Sequence, residues 1–595
     1  MKLLKNLTHH NNLENLTNQK ISLLIALISG ILMGLTTAPA NAWPLAWLAL
    51  VPLWVIVASY QKPKIEIKKQ KFFSSNSSLF PFPSSFFLLP LFWGIGYHGL
   101  ALSWIVGIHP MTWLGISWWP SLGIAIFCWT FITLWGAALV TVWGWLFVIF
   151  NSPIDIEKNS EKNSKLSALI RVLVGTALWC GLESLWSSTP LWWTSLSYTQ
   201  SPHNLAILHL GQLSGPSATT AAIVAVNGLI AEAWIEGRRK REEGRRKKEE
   251  GRRKKEEGRG KKEEGIGERE ERIGEREEGI LMNFVDYILP VTFCLILHLI
   301  GFSLYSRPLN EESNFGLKVG IIQGNIPNQI KFNSEGWRRA LEGYTIGYQN
   351  LVKQGVDAVL IPETALPFVW TNPNQRSNIS FYQAIINQKV VAWVGGFGQQ
   401  DNSITNSLFT INGNGEIVSR YDKVKLVPLG EYIPFEGLIG GIINRLSPLD
   451  SHLVAGKSNQ LFDTPFGRAI VGICYDSAFA QNFRSQAVTG GEFILSVAND
   501  AHYTNAMMAQ HHAQDVMRAI ENDRWMVRAT NTGYSAFVNP HGETIWGSRV
   551  NTYQVKAATI YRRKTQTLYV KLGDLLTPFF LILAVLGKFI DRMFN

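Results

Sequence analysis

Charge is missing from two long stretches of this chain. Between Phe72 and Ile154 there is no Asp, Glu, Lys or Arg, and between Ser184 and Ala231 there is none either. A soluble fold needs charge on its surface, where about a quarter of an average soluble sequence is Asp, Glu, Lys or Arg. A bilayer asks for the opposite, about 20 consecutive apolar residues per spanning helix. The whole chain is only 17% charged, and its 22 Trp and 31 Phe fall mostly in the apolar parts. These runs exclude a wholly soluble protein, a disordered chain and a small disulfide scaffold. Cys128, Cys180 and Cys294 lie in apolar stretches and read as small core residues. Together with Cys474 they supply no C-x-x-C site and no disulfide framework.

The apolar segments predict seven spanning helices in the first half, near 21–39, 43–60, 85–106, 118–149, 166–186, 204–233 and 283–305, and an eighth near 572–591. The expected organisation is a membrane domain over 1–308, a catalytic α/β domain over 309–566 and a C-terminal spanning helix within 567–595. Lys and Arg set the orientation. Residues 61–71 carry five Lys, 151–165 holds further Lys, and 236–280 is very basic in its first half. The opposite loops, near 38–43, 107–117 and 187–203, carry no Asp, Glu, Lys or Arg. Both termini are therefore expected in the cytoplasm and the soluble domain outside, on the periplasmic side of a bacterial inner membrane. Ala40-Asn41-Ala42 looks like a signal-peptidase site, but the long polar segment around His9, His10, Asn11 and Asn12 predicts an uncleaved first helix. The net charge of +11 would suit nucleic acid elsewhere. Here much of the charge sits in a seven-residue repeat marked by Gly237, Gly244, Gly251 and Gly258. The repeat has no apolar seam, and one Gly per repeat opposes helix. It predicts a solvated cytoplasmic insert over 237–280, with a polybasic patch on anionic lipid as the sharper reading.

The candidate chemistry lies between the last two spans. Strand-like runs Leu317–Ile322, Ala358–Ile361, Val390–Gly396, Ala469–Cys474 and Phe493–Val497 alternate with helical sequence, including 505–522. Cys474 ends one such run and Glu363 follows another, held between Pro362 and a second proline at 367. A thiol needs a base or a cation to react as thiolate. A carboxylate between apolar runs is suited to general base work. Lys423 would stabilise a thiolate or an oxyanion. Each residue alone is equally compatible with a structural role. There is no H-E-x-x-H, no P-loop, and no G-x-S-x-G, since Phe537 breaks the nearest match. His502, His511 and His512 near Asp500 fit no zinc spacing. No metal and no cofactor are expected. Arg171, Glu183 and Asp286 lie in or near spans and read as interfacial or paired structural charges.

The order Glu363, Lys423, Cys474 on an α/β domain resembles the nitrilase superfamily, whose catalytic set is Glu-Lys-Cys. The whole chain resembles the bacterial apolipoprotein N-acyltransferase family, in which such a domain sits between the last two of eight membrane helices. The motifs are Gln323-Gly324-Asn325-Ile326-Pro327, Pro362-Glu363-Thr364-Ala365, Tyr421-Asp422-Lys423 with Leu426-Val427-Pro428, Gly430-Glu431-Tyr432, Ile473-Cys474-Tyr475, Asn499-Asp500-Ala501 and 528–533. The resemblance implies an αββα sandwich. It implies Cys474 as nucleophile, Glu363 as general base and then acid, Lys423 as oxyanion stabiliser, Glu431 as support for Lys423, and Tyr475 as a shaping residue. Three positions depart from the family pattern. Asp476 stands where Glu is common, Phe332 where many members have Trp, and His502-Tyr503 where many have Trp-Phe. They are taken as substrate-facing positions, with Asp476 in support.

The implied reaction is ping-pong acyl transfer. A membrane phospholipid acylates Cys474, and the α-amine of an apolipoprotein's N-terminal diacylglyceryl-cysteine takes the acyl chain. Phospholipid, lipoprotein acceptor and bilayer are the expected partners, nucleic acid is not, and a monomer suffices. Two alternatives remain at this point: a membrane-tethered hydrolase of a small amide, and an inactive lipid- or lipoprotein-binding membrane protein.

Overall fold

The computed structural model describes residues 19–59, 84–151, 161–257, 268–309, 311–432 and 453–594. The basic stretch 61–71, part of 151–165 and the centre of 237–280 lie outside the described residues.

The N-terminal half is helical. Among the described residues four helices are long and apolar enough to cross a membrane: Trp118–Phe150, Lys165–Ser187, Pro216–Arg252 and Tyr287–Tyr305. The first three expected spans appear as shorter apolar helices, Gln19–Gly34, Trp43–Ala58 and Phe87–Ala101, and a further short one, Leu205–Ser214, opens the sixth. The C-terminal helix Leu576–Phe594 packs Ala584 against Ile170, Val174 and Ala177 of the helix Glu161–Ser187. The segment expected as one span over 204–233 is broken. Two single turns, Leu205–Leu208 and Gly211–Ser214, precede the long helix. Gly215 has φ +69°, which an L side chain resists, and Pro216 starts the helix after it.

The charged repeat also departs from expectation. Gly237, Gly244 and Gly251 lie inside one continuous helix, Pro216–Glu257. Each Gly costs up to about 1 kcal/mol against Ala, but the helix is already nucleated by its apolar half, so only propagation is needed. Arg, Lys and Glu favour propagation, and pairs such as Arg238–Glu242 at 2.9 Å and Arg239–Glu236 at 2.7 Å add one-turn contacts.

Among the described residues, Arg171 and Glu183 are partnered. Arg171 meets Glu232 at 2.6 Å. Glu183 accepts from Ser195 Oγ at 2.9 Å, Thr220 Oγ1 at 2.8 Å and the Leu196 amide at 2.8 Å. The side chain of Asp286 lies outside the described residues.

The domain that follows is built on two six-stranded sheets. The first runs β12-β1-β2-β3-β4-β5: β1 is Gly316–Gln323, β2 Ala358–Leu360, β3 Val391–Gln400, β4 Ser403–Ile411, β5 Ile417–Asp422 and β12 Gln554–Tyr561. The second runs β11-β10-β9-β8-β7-β6: β6 is Phe462–Thr464, β7 Gly467–Ile473, β8 Phe493–Ala498, β9 Met526–Thr530, β10 Ala536–Val538 and β11 Thr544–Gly547. Both sheets have a parallel centre, β1-β2-β3 and β7-β8-β9, and antiparallel edges. Parallel strands are covered on both faces, so their sequences read as unbroken apolar runs. Val319, Leu360, Trp393, Val471, Leu495 and Val527 fill the space between the sheets. Helices Ser334–Lys353 and Ser380–Gln388 cover the outer face of the first sheet, and Ala480–Val488 and Asn505–Asn522 cover the second. The layers are therefore helix, sheet, sheet, helix. The five predicted strand runs coincide with β1, β2, β3, β7 and β8. The edge strands are shorter or half-polar and gave no such signal.

Candidate active site

The parallel strands deliver side chains to one end of the sandwich, where their carboxyl ends meet. Glu363 follows β2, Lys423 follows β5, Cys474 follows β7 and Asn499 follows β8. Glu363, Lys423 and Cys474 are all buried, at 5%, 1% and 6% exposure, so whatever they do happens away from bulk water. Behind Glu363, β3 carries Gly395. A Cβ there would sit 2.0 Å from the Pro362 carbonyl oxygen and 2.9 Å from the Glu363 Cα. Only glycine lets the Glu363 loop lie this close to the sheet.

Lys423 Nζ donates to Glu363 Oε1 at 3.0 Å and to Glu431 at 2.9 Å. Asn406 on β4 donates to both carboxylates, at 2.7 Å to Glu363 and 3.1 Å to Glu431. The Asn499 amide donates to Glu363 Oε2 at 2.7 Å, and the Val427 amide to Glu431 Oε2 at 2.8 Å. Burial works against the charge on Glu363, but Lys423, Lys331 and Asn406 outweigh it and hold the carboxyl below the usual glutamate range. Burial likewise opposes the charge on Lys423. Glu363 and Glu431 overcome it and hold the ammonium well above the ordinary lysine value.

Cys474 has φ +50°. A non-glycine residue in this region costs about 1–3 kcal/mol and persists only where its surroundings force it. Here they do. The Ile473 amide donates to Asp476 Oδ2 at 3.1 Å, closing a turn that opens the 3-10 helix Cys474–Ala478. His511 Nε2 donates to the Cys474 carbonyl oxygen at 3.0 Å, and its Nδ1 faces Asp500 Oδ1 at 3.2 Å. Cys474 Sγ lies within 4.8 Å of Asp500 and His511 ligand-type atoms. Both ring nitrogens of His511 are already engaged, and Asp500 also faces Arg528. Burial pushes the Cys474 thiol well above its ordinary value, and the charge of Glu363 adds to this while Lys423 opposes it. At rest the sulfur is a thiol and needs a base to become nucleophilic.

The remaining predicted residues divide. Tyr475 hydroxyl donates to the Pro190 and Trp192 carbonyls at 2.7 and 2.9 Å, and its ring stacks on Trp193 at 6.1 Å. The residue after the candidate nucleophile is thus tied to the loop between two membrane-type helices. Asp476 is fully buried, with Oδ1 accepting from the Lys425 amide at 2.8 Å. Burial pushes its carboxyl up to about 7, against those hydrogen bonds. Tyr503 packs edge-on against Trp104 at 5.4 Å, and burial lowers the neighbouring His502 to about 4. Phe332 is 44% exposed.

Sequence reasoning missed three participants. Asn406 bridges the two carboxylates from a strand that carried no motif. Lys331, beside Phe332, is buried and donates to Thr364 Oγ1 at 2.7 Å. Gln510 ties the domain to the helical half. It accepts from Trp104 and Trp193 at 3.1 and 2.8 Å and donates to the Ala38 and Ala101 carbonyls at 3.0 and 2.8 Å. Only Lys331 had a usable signal, an ammonium directly before the aligned Phe332.

Residues 318–568 match the carbon-nitrogen hydrolase family model, and residues 29–229 match the model for the apolipoprotein N-acyltransferase N-terminal domain. A protein of Nostoc sp. named apolipoprotein N-acyltransferase is 54% identical over 93% of this chain and 96% of its own length. Proteins of the same name from Synechocystis sp. and Thermosynechococcus vestitus are 44% and 38% identical, over 93% and 94% of this chain and 97% and 93% of theirs. With both halves matched in order and a relative this similar along nearly its full length, the chain belongs to the apolipoprotein N-acyltransferase family.

Proposed function

We propose that this enzyme moves an acyl chain from a membrane phospholipid to the N-terminal α-amine of diacylglyceryl-cysteine on apolipoproteins, through a thioester on Cys474. Glu363 takes the thiol proton and the thiolate attacks an ester carbonyl of the phospholipid. Lys423 Nζ stabilises the oxyanion. Glu363 returns the proton to the departing lysophospholipid oxygen. The acceptor amine then attacks the thioester, Glu363 takes its proton, and Cys474 leaves and is reprotonated. Splitting the transfer in two replaces one difficult step by two easier ones. Glu431 holds Lys423 from the side opposite Glu363. Asp476 sets the turn at Cys474, and Tyr475 fixes that turn to the membrane domain. Phe332, His502 and Tyr503 line the approach of the lipid substrates. The chemistry uses no metal or cofactor, and one copy of the chain is sufficient.

The observation that carries this reading is the buried Glu363–Lys423–Glu431 network beside a strained thiol, on a turn that Tyr475 bonds to a loop of the helical half. A hydrolase of a small soluble amide needs the network but does not need its thiol turn bonded to the helical half. Two lipid-anchored substrates require the thiol to sit at the bilayer surface. We assign eight spans, the sixth starting at Pro216 after the break at Gly215, with a membrane domain over 1–308, the catalytic domain over 309–566 on the periplasmic side of the inner membrane, and the last span in 567–595. Both termini and the charged repeat are then cytoplasmic, following the placement of Lys and Arg.

The test is intact mass after incubation with phospholipid and no acceptor, beside Cys474→Ala. The expected result is a gain of one fatty acyl group, absent in the variant and discharged by a diacylglyceryl-cysteine peptide. A folded protein that gains no acyl group loses the phospholipid donor, and small-amide hydrolysis becomes the leading activity.

A further inference from the structure

Lys423 is one cation facing two carboxylates. Its Nζ is within 3.0 Å of both Glu363 and Glu431, and all three side chains are 15% exposed or less. In a water-excluded site two carboxylates around one ammonium leave a net negative charge, and the ordinary response is that one carboxyl holds a proton. A protonated Glu363 cannot act as a base. The site therefore requires a second positive charge.

Lys331 is placed to supply it. It lies in the loop between β1 and the helix Ser334–Lys353, with 4% exposure. Its ammonium donates at 2.7 Å to Thr364 Oγ1, a neutral hydroxyl. Among the described residues no carboxylate lies within ion-pair distance of it. Thr364 directly follows Glu363 and has φ +43°, so the ammonium is held against the strained loop that carries the candidate base. Glu363 and Cys474 are the two acidic groups in electrostatic range of Lys331. The other ionisable groups facing this space are Lys423 from the end of β5, Glu431 from the following loop, Asp500, His502 and Tyr503 from the loop after β8, and His511 from the helix Asn505–Asn522. A buried ammonium without a carboxylate of its own is costly. It is explained if its counter-charge is the site's surplus.

We propose that Lys331 is a charge-balancing residue which, with Lys423, offsets the paired carboxylates of the site and so keeps Glu363 available as the base for Cys474. It acts through Glu363 and does not itself touch the transferred acyl group. Glu363, ionised, takes the thiol proton, and the buried negative charge moves to the sulfur with both lysines still present. Burial lowers Lys331 to about 8, opposed by Glu363 and Cys474, so it is charged at neutral pH.

This inference rests on Cys474 and Glu363 having the roles proposed above, and the experiment separates the two. Acyl-enzyme formation from phospholipid, without acceptor, is followed by intact mass across pH in the full-length wild type, Lys331→Gln, Lys331→Met and Lys331→Arg. The Gln variant carries a neutral donor, one bond shorter, in place of the ammonium, and the Met variant keeps the length without a donor. Whichever of the two neutral variants folds carries the test. The acid limb of the profile is expected to move up by about one pH unit or more, a roughly tenfold slower rate at a fixed pH on that limb. The Arg variant is expected to keep the wild-type limb. A uniformly slower neutral variant with an unmoved limb shows a structural role and overturns the proposal, as does an Arg variant that shifts like the neutral ones. A wild type that forms no acyl-enzyme at any pH removes the underlying reading, before the variants are compared.

Discussion

The molecule buries charge in two ways. In the helical half, Arg171 faces Glu232 one to one. Its guanidinium makes two parallel contacts, Nε to Oε1 at 3.0 Å and Nη2 to Oε2 at 2.6 Å, and Trp54 Nε1 adds a third at 3.2 Å. The pair is closed, and a bidentate fork of this kind fixes geometry. In the catalytic half, Lys423 is shared between two carboxylates, and a second buried ammonium stands nearby without an ion pair of its own. Both set basic side chains against glutamates, Arg in one and Lys in the other, but one arrangement is saturated and the other shares its cation. A closed pair locks two helices together. A shared one is what the proposed proton transfers at Glu363 require.

That contrast is broken most severely at Lys423. Lys423→Met leaves Glu363 and Glu431 with no direct cation and removes the proposed oxyanion partner. Acyl-enzyme formation is expected to fall by about 10²–10³ or more, in line with the loss of one oxyanion donor, read by single-turnover mass spectrometry. Arg171→Met is the matching change in the other region. Stranding Glu232 should cost about 3–5 kcal/mol and appear as a lower unfolding temperature in detergent. The acylation rate per folded molecule should be unchanged, and a lost rate in folded protein would mean that the two regions are not separable in this way.

The pH profile sharpens the comparison further. Glu363 is held below the ordinary glutamate value of about 4.3. It is charged above its lowered pKa and loses that charge only as pH falls through it. Wild-type acyl-enzyme formation should therefore persist at pH 5 and fail only below the ordinary range. A rate that halves near pH 6 would contradict this assignment of the base. The smallest effect is expected at the tether. Tyr475→Phe removes the hydroxyl that bonds Pro190 and Trp192 and keeps the ring on Trp193. It should cost about 0.5–1.5 kcal/mol of stability with a modest loss of rate, measured by thermal unfolding and single-turnover acylation.

Much of this was legible along the chain, but unevenly. Charge-free runs marked the helical half, because hydropathy is a local property. β7 and β8 were legible because strands buried on both faces are apolar throughout. The breaks at Gly215 and the helical course of the repeat up to Glu257 were less so. The first depends on one backbone conformation, and the second on ion pairs and a nucleus supplied by the preceding apolar turns. Asn406 was invisible, since an Asn in a half-polar strand has no pattern to stand out from.

The sequence by itself determined that this chain has apolar helical segments around an α/β domain, and that Glu363 and Cys474 stand at strand ends. Burial and periodicity are written residue by residue, and a strand's end is visible where its apolar run stops. Only the tertiary structure decided that Lys423 meets Glu363 across 60 residues, that Asn406 bridges both carboxylates, that Lys331 is buried against Thr364, and that Tyr475 is bonded to the loop after the helix ending at Ser187. The first two contacts follow from sheet order and register and the last two from loop packing and the docking of the two halves, which bring together residues that share no local pattern.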